Sequence, residues 1–139
     1  MRSPGELTQL FRAQGLKITP QREAVFRALD HNDEHPTAET VHAVVTREMP
    51  NVSLRTVYQV LNDLATMGEL TVLDVGTGAT RFDPNVDAHH HHLVCTKCGK
   101  VRDLHADFGS VRVPEGAEQG FTVDSAEVVF RGVCDTCTS

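Results

Sequence analysis

The sequence predicts an α+β chain: an N-terminal winged-helix domain followed by a small C-terminal α/β domain with a four-cysteine zinc site. Three observations predict it. Apolar residues recur at helical spacing in four capped segments before residue 68. Two short β-prone runs around a Gly-Thr-Gly turn follow at once. All four cysteines then fall into two C-x-x-C pairs with 35 residues between them, the spacing of a thiolate cage around one tetrahedral metal.

Each element has its own signal. Ser3-Pro4-Gly5-Glu6 is a capping-box start with proline at the first helical position, and Gly15 ends the helix that carries Leu7, Leu10 and Phe11. Thr19-Pro20 opens a second helix with Val25, Phe26 and Leu29 as its apolar face. After a polar loop from Asp30 to His35, Thr37 caps a third helix, which turns Val41, Val44 and Val45 inward and ends by Pro50. Ser53 caps a fourth helix, Leu54 to Met67, with Val57, Val60, Leu61 and Leu64 on one stripe and Gly68 as its stop. Leu70 to Val75 and Thr80 to Phe82 read as a hairpin. Helices followed by a hairpin give the order of a winged helix, with helices three and four as its helix-turn-helix pair.

The composition changes at residues 83–88, read as a hinge between domains at 1–82 and 89–139. Beyond it, His91 to Cys95 and Val101 to Leu104 read as strands around a zinc knuckle, and Phe121 to Val133 contains another strand. Pro114 and the glycines at 109, 116 and 120 leave room only for a short helix between them. A unit of this size buries little core, so both a metal and a partner subunit are expected.

Composition bounds the partners. No apolar run approaches the roughly 20 residues that span a bilayer, and the N-terminal stretch lacks a signal-peptide core, so a cytoplasmic protein with no membrane partner is expected. Reduced thiols in that compartment favour metal over disulfides. The formal charge of −6 argues mildly against nucleic acid. Residues 1–82 hold 8 Lys/Arg and 10 Asp/Glu, whereas residues 83–139 hold 5 and 9, so the objection falls mainly on the half with the metal ligands.

Three residue sets carry chemistry. Cys95, Cys98, Cys134 and Cys137 form a closed, structural zinc set, the alternatives being buried free thiols or one disulfide. In the run from His89 to His92, strand alternation puts His90 and His92 on one face and His89 and His91 on the other. Asp83 and Asp103 are candidate oxygen donors beside them, and His35 a candidate fifth ligand; solvated side chains without metal are the alternative. On the fourth helix Arg55, Thr56, Tyr58, Gln59 and Asn62 suit phosphate and base contacts, against the alternative of an ordinary solvated face.

Together with Leu16-Lys-Ile-Thr-Pro-Gln-Arg22, His35-Pro-Thr-Ala, Val52-Ser-Leu-Arg-Thr-Val-Tyr58 and Gly68-Glu-Leu, these residues resemble the ferric uptake regulator family of bacterial metal-dependent repressors. The resemblance covers nearly the whole chain. It implies a homodimer, operator DNA as partner, a C-terminal dimerisation domain, and a regulatory metal held between the two domains. It adds Arg22 and Ser53 to the candidate DNA contacts. Asp83 stands where zinc sensors commonly place a cysteine, and Asp103 where many iron sensors carry glutamate. The set His35, Asp83, His90, His92 and Asp103 is similar to that of the peroxide-sensing members. Its nitrogen and oxygen donors suit iron(II) or manganese(II), and His35 and His90 are then the expected targets of oxidation.

Two features depart from the family. The dimerisation helix is interrupted at Val111 to Gly120, and Gln59 stands where many iron-sensing relatives have arginine. A further metal site of some relatives needs a histidine near Ser125 and is expected to be absent. The resemblance implies a switch in which metal fixes two recognition helices about 34 Å apart, one turn of DNA. The rival readings are an iron- or zinc-responsive uptake repressor, a structural zinc-ribbon adaptor, and a metal-dependent hydrolase. No second motif such as H-E-x-x-H supports the hydrolase, so the chain is expected not to be an enzyme and to take no small molecule beyond metal ion and peroxide.

Overall fold

A computed structural model of the chain describes residues 1–87, 90–109 and 111–138. The chain forms two compact units, Met1–Val86 and Asp87–Ser139. The expectation for His89, and the hinge at Ala88, fall outside the described residues.

The first unit contains α1 (Pro4–Ala13), α2 (Pro20–Leu29), α3 (Ala38–Glu48), α4 (Leu54–Thr66) and the antiparallel pair β1 (Thr71–Leu73) and β2 (Arg81–Asp83). Each helix starts where a short polar side chain satisfies a free N–H. Ser3, Thr19, Thr37 and Ser53 accept from the backbones of Glu6, Arg22, Thr40 and Thr56, and Ser3 with Glu6 completes a capping box. Each such cap stabilises its helix by about 1 kcal/mol. Gly15 and Gly68 lie just past α1 and α4 with φ of 73° and 75°, a conformation that glycine adopts without strain.

The apolar stripes meet in one core of Leu7, Phe11, Val25, Phe26, Leu29, Val41, Val45, Val57, Leu61 and Leu64, joined by Phe82 from β2. Phe11 and Phe26 pack edge to face with ring centroids 5.0 Å apart. Val44 corrects the expected inner face of α3, because it is 39% exposed. At about 100° per residue, Ala38, Val41 and Val45 share one narrow buried stripe, and Val44 lies at its edge, turned toward solvent. The hairpin is shorter than expected in its first strand, and its second strand runs one residue further, to Asp83. A backbone bond from Phe82 to the Pro36 carbonyl (2.9 Å) and a bridge between Thr37 and Arg81 tie β2 to the loop before α3.

The second unit is a three-stranded sheet in the order β4-β3-β5: β3 (His91–Cys95), β4 (Val101–Leu104) and β5 (Val129–Gly132). β3 pairs antiparallel with β4 and parallel with β5. β3 and β4 have the expected bounds. No helix forms among the described residues of the stretch with Pro114, and a single turn, α5 (Asp135–Thr138), follows the second cysteine pair's first member. That turn went unpredicted, since four residues carry no periodicity to read. Among the described residues no helix is long and apolar enough to cross a membrane.

Candidate metal centres

The four cysteines come together as free thiols at the end of the β3–β4 sheet. Gly99, with φ of 76°, turns the chain after Cys98, and its N–H bonds the Cys95 carbonyl at 2.9 Å. The second pair arrives by the parallel strand β5, which places Gly132 opposite Cys95 and so delivers Cys134 two residues later. The Sγ atoms all lie within 4.8 Å of one another, with Cys98 and Cys134 at 3.7 Å. A zinc–sulfur bond of about 2.3 Å implies sulfurs roughly 3.8 Å apart in a tetrahedron. The donors therefore already stand close to the spacing of a four-thiolate zinc site, with no position left for a substrate.

The local field prepares this cage. The Cys98 and Cys134 backbone N–H groups point at Cys95 Sγ and hold its thiol down to about 6. The Cys134 and Cys98 side chains have the opposite effect on Cys137, pushed up to about 12 by thiols that compete for the same protons. Four adjacent thiols cannot all ionise without a cation, so zinc is the counter-charge suited to this cluster.

Nitrogen and oxygen donors gather in each unit. In the first, His35 lies on the loop before α3 with its Nε2 3.3 Å from Asp83 Oδ2, both side chains buried. Asp83 is delivered by the end of β2, and its other oxygen, Oδ1, accepts the Asn85 N–H at 2.8 Å. Arg81 donates to the His35 carbonyl at 3.0 Å. These ties hold His35 at φ of 52°, a left-handed conformation uncommon for a side-chain-bearing residue.

In the second unit one carboxylate oxygen organises two imidazoles. Asp103 Oδ1 lies 3.5 Å from His90 Nε2 and 3.4 Å from His92 Nε2. Cross-strand pairing of His92 with Asp103 creates this geometry, and the two rings pack edge to face at 4.9 Å. Each ring is held through its other nitrogen. His90 Nδ1 meets the Asp87 carbonyl at 2.9 Å, and His92 Nδ1 meets the Glu127 carboxylate. Such contacts turn Nε2 toward a ligand position. His91 has a different use: its Nδ1 accepts the Val128 N–H at 3.0 Å, and its ring packs on Phe108. Glu127 was absent from the sequence-based set, because its partner lies 35 residues away across a parallel pairing.

On α4 the side chains of Arg55, Tyr58, Gln59 and Asn62 are exposed along one stripe. Ser53 and Thr56 are joined to each other by the cap, with their hydroxyls 2.9 Å apart. Tyr58 donates to Glu39 at 3.2 Å. Arg22 is half-buried: it lies over the Phe11 ring, bonds the Lys17 carbonyl and pairs with Asp63.

The chain matches the ferric uptake regulator family over residues 13–131. It is 34% identical over 127 residues to the peroxide-responsive repressor PerR of Staphylococcus epidermidis, covering 91% of this chain and 84% of the relative. It is 36% identical over 128 residues to ferric uptake regulation protein 1 of Mycolicibacterium fortuitum, covering 90% and 78%. The solved structure of the peroxide stress regulator of Campylobacter jejuni superposes with a TM-score of 0.64 at 29% identity, over 99% of this chain and 100% of that one. A helical unit that ends in a hairpin, a four-cysteine cluster and a match over most of its length make this chain a member of the ferric uptake regulator family of metal-responsive transcriptional repressors.

Proposed function

We propose that this chain is an operator-binding repressor that senses peroxide through a regulatory metal held by His35, Asp83, His90, His92 and Asp103. The observation that carries the reading is the convergence of His90 and His92 Nε2 on one Asp103 oxygen. The His35–Asp83 pair supplies a second imidazole and carboxylate of the same kind. Nitrogen and oxygen donors without thiolate suit iron(II) or manganese(II), while the thiolates elsewhere suit zinc. Overall identity does not separate the branches, since a peroxide-responsive and an iron-uptake relative match almost equally. The donor set favours peroxide: aspartates stand at positions 83 and 103, where the resemblance associates cysteine and glutamate, respectively, with the zinc and iron sensors.

When bound, the metal supplies positive charge to the carboxylates and, as iron(II), the reducing equivalent for peroxide. The protein residues do the rest. Ligands drawn from both units tie the winged helix to the dimerising unit, and two copies of α4 then present Arg55, Thr56, Tyr58, Gln59 and Asn62 to successive major grooves. His35 and His90 are the oxidisable donors, and an imidazole that has gained an oxygen atom binds metal less well. Affinity for the metal then falls, and with it affinity for the operator.

The iron-responsive uptake repressor is the second reading, favoured by the Mycolicibacterium relative. Operator binding measured with manganese and with iron, each with and without peroxide, separates the two. Release from the iron form alone is the expected result, accompanied by oxygen gain on peptides containing His35 or His90. Equal behaviour of both metals overturns peroxide sensing. Metal-dependent operator binding that survives His35→Ala removes His35 from the mechanism.

A further inference from the structure

The geometry points to Glu127 as a positioning residue for the regulatory metal: its carboxylate fixes the His92 ring so that Nε2 is the ligating nitrogen. This rests on the reading of His92 as a ligand and adds a residue outside the five-membered donor set.

Glu127 lies at the entry to β5, two residues before Val129, which pairs with His92 in the parallel register. Its Oε1 meets His92 Nδ1. An ionised carboxylate only accepts hydrogen bonds, so Nδ1 of the metal-binding, neutral ring must carry the hydrogen. The lone pair of that ring then resides on Nε2, the atom facing Asp103 at 3.4 Å. The His92 backbone N–H also bonds the Val128 carbonyl at 3.1 Å, so ring and main chain are tied to the same short segment. The His92 side chain is almost wholly buried, whereas Glu127 is 42% exposed. The carboxylate thus closes the solvent side of a buried ring.

His90 offers a built-in comparison. Its Nδ1 is held by the neutral Asp87 carbonyl, whereas His92 Nδ1 has a charged acceptor. A carboxylate partner makes an imidazole a stronger donor to metal than a carbonyl does. Of the two imidazoles that share Asp103, His92 is therefore the tighter ligand.

Glu127 could instead serve only to dock β5 against β3, a role that metal binding would not report. The test uses full-length, zinc-loaded protein with manganese(II) as the probe. Glu127→Ala is expected to lower manganese affinity by about tenfold to a hundredfold, while Glu127→Gln, which keeps an acceptor oxygen for Nδ1–H but not the charge, loses clearly less. In manganese-free protein, nitrogen NMR of His92 is expected to show the Nδ1–H tautomer in the parent and in Glu127→Gln, and a mixture in Glu127→Ala. An unchanged manganese affinity in Glu127→Ala, or equal losses in both variants, overturns the assignment. His92→Ala is the control for the underlying reading. If it binds manganese as tightly as the parent, the ligand set itself fails; if it loses the metal while Glu127→Ala does not, only the role of Glu127 fails.

Discussion

Arg22 and Asp63 form an ion pair at 3.3 Å that ties α2 to the exposed face of α4. The other Asp63 oxygen accepts from Gln59 Nε2 at 3.2 Å, one helical turn away. Arg22 in turn lies over Phe11 in the core. A continuous set of contacts therefore runs from the core to Gln59, one of the proposed DNA contacts.

These contacts give Arg22 a structural role beside the DNA contact proposed for it. Gln59 that spends one amide hydrogen on Asp63 still has its oxygen to accept from adenine N6–H and its second hydrogen to donate to adenine N7. Asp63→Ala should therefore relax the preference at one operator position by about fivefold to tenfold, with little change elsewhere, measured by competition among operator variants. Arg22→Ala should cost about 1–2 kcal/mol in thermal or denaturant unfolding, mostly from lost packing. A base preference unchanged in Asp63→Ala would remove that residue from recognition.

Zinc affinity of the cysteine cage should rise with pH. Cys95 is ionised above about pH 6, so it gives up little proton on binding zinc near neutrality. Cys137, held protonated to about 12, must release a proton to become a ligand. Each proton released makes affinity rise about tenfold per pH unit. Zinc affinity from chelator competition should thus rise by at least about one decade between roughly pH 7 and 8, and acid should favour loss of zinc. A flat profile would contradict the thiol field described for Cys137.

Removing zinc should undo the second unit. Three short strands have little core of their own, and the two cysteine pairs join the β3–β4 turn to the chain beyond β5. Cys98→Ser or exhaustive chelation is expected to abolish hydrogen-exchange protection across β3, while α2 and α4 keep theirs. Structural zinc sites contribute on the order of 10 kcal/mol to such small units. Protection of β3 that survives metal removal would show that the sheet holds without its cage.

Much of this was legible in the sequence, and the gaps have physical causes. His91–Cys95 and Val101–Leu104 show as strands because they flank an unmistakable knuckle, and the four caps show because each places Ser or Thr before a periodic run. Val44 misled because valine in a helix suggests burial without saying which face is buried. Asp63 and Glu127 were hidden for different reasons. One acts through a neighbour on its own helix, and the other through parallel pairing, which leaves no mark in a single strand's pattern.

The left-handed backbone at His35 separates conformational strain from the loss of its side chain. At φ of 52°, alanine keeps the steric conflict of a Cβ while losing the imidazole. Glycine loses the imidazole too but adopts that conformation freely. His35→Gly should be more stable than His35→Ala by about 1 kcal/mol, despite the smaller side chain, with both unable to bind the regulatory metal normally. The reverse order in unfolding experiments would show that the loop relaxes to another conformation once the ring is gone.

Glu39 reaches a candidate DNA contact on α4 from a different helix: it accepts the Tyr58 hydroxyl at 3.2 Å. Desolvation raises the Tyr58 phenol above its ordinary range, and the Glu39 hydrogen bond and charge add to that effect. Tyr58 therefore stays a neutral donor at any pH relevant to DNA binding. In the free protein its hydrogen is committed to Glu39, so contact with a phosphate requires breaking that bond, and the nearby negative charge repels the phosphate as well. Glu39→Gln should remove the repulsion and weaken the hold on Tyr58. The expected result is an affinity gain of a few-fold, about equal for operator and non-operator DNA and larger at low salt. Tyr58→Phe in the Glu39→Gln background should take back the part of the gain that comes from the freed hydroxyl. A gain confined to the operator would instead place Glu39 in base selection, and no gain at all would mean that Tyr58 does not meet phosphate.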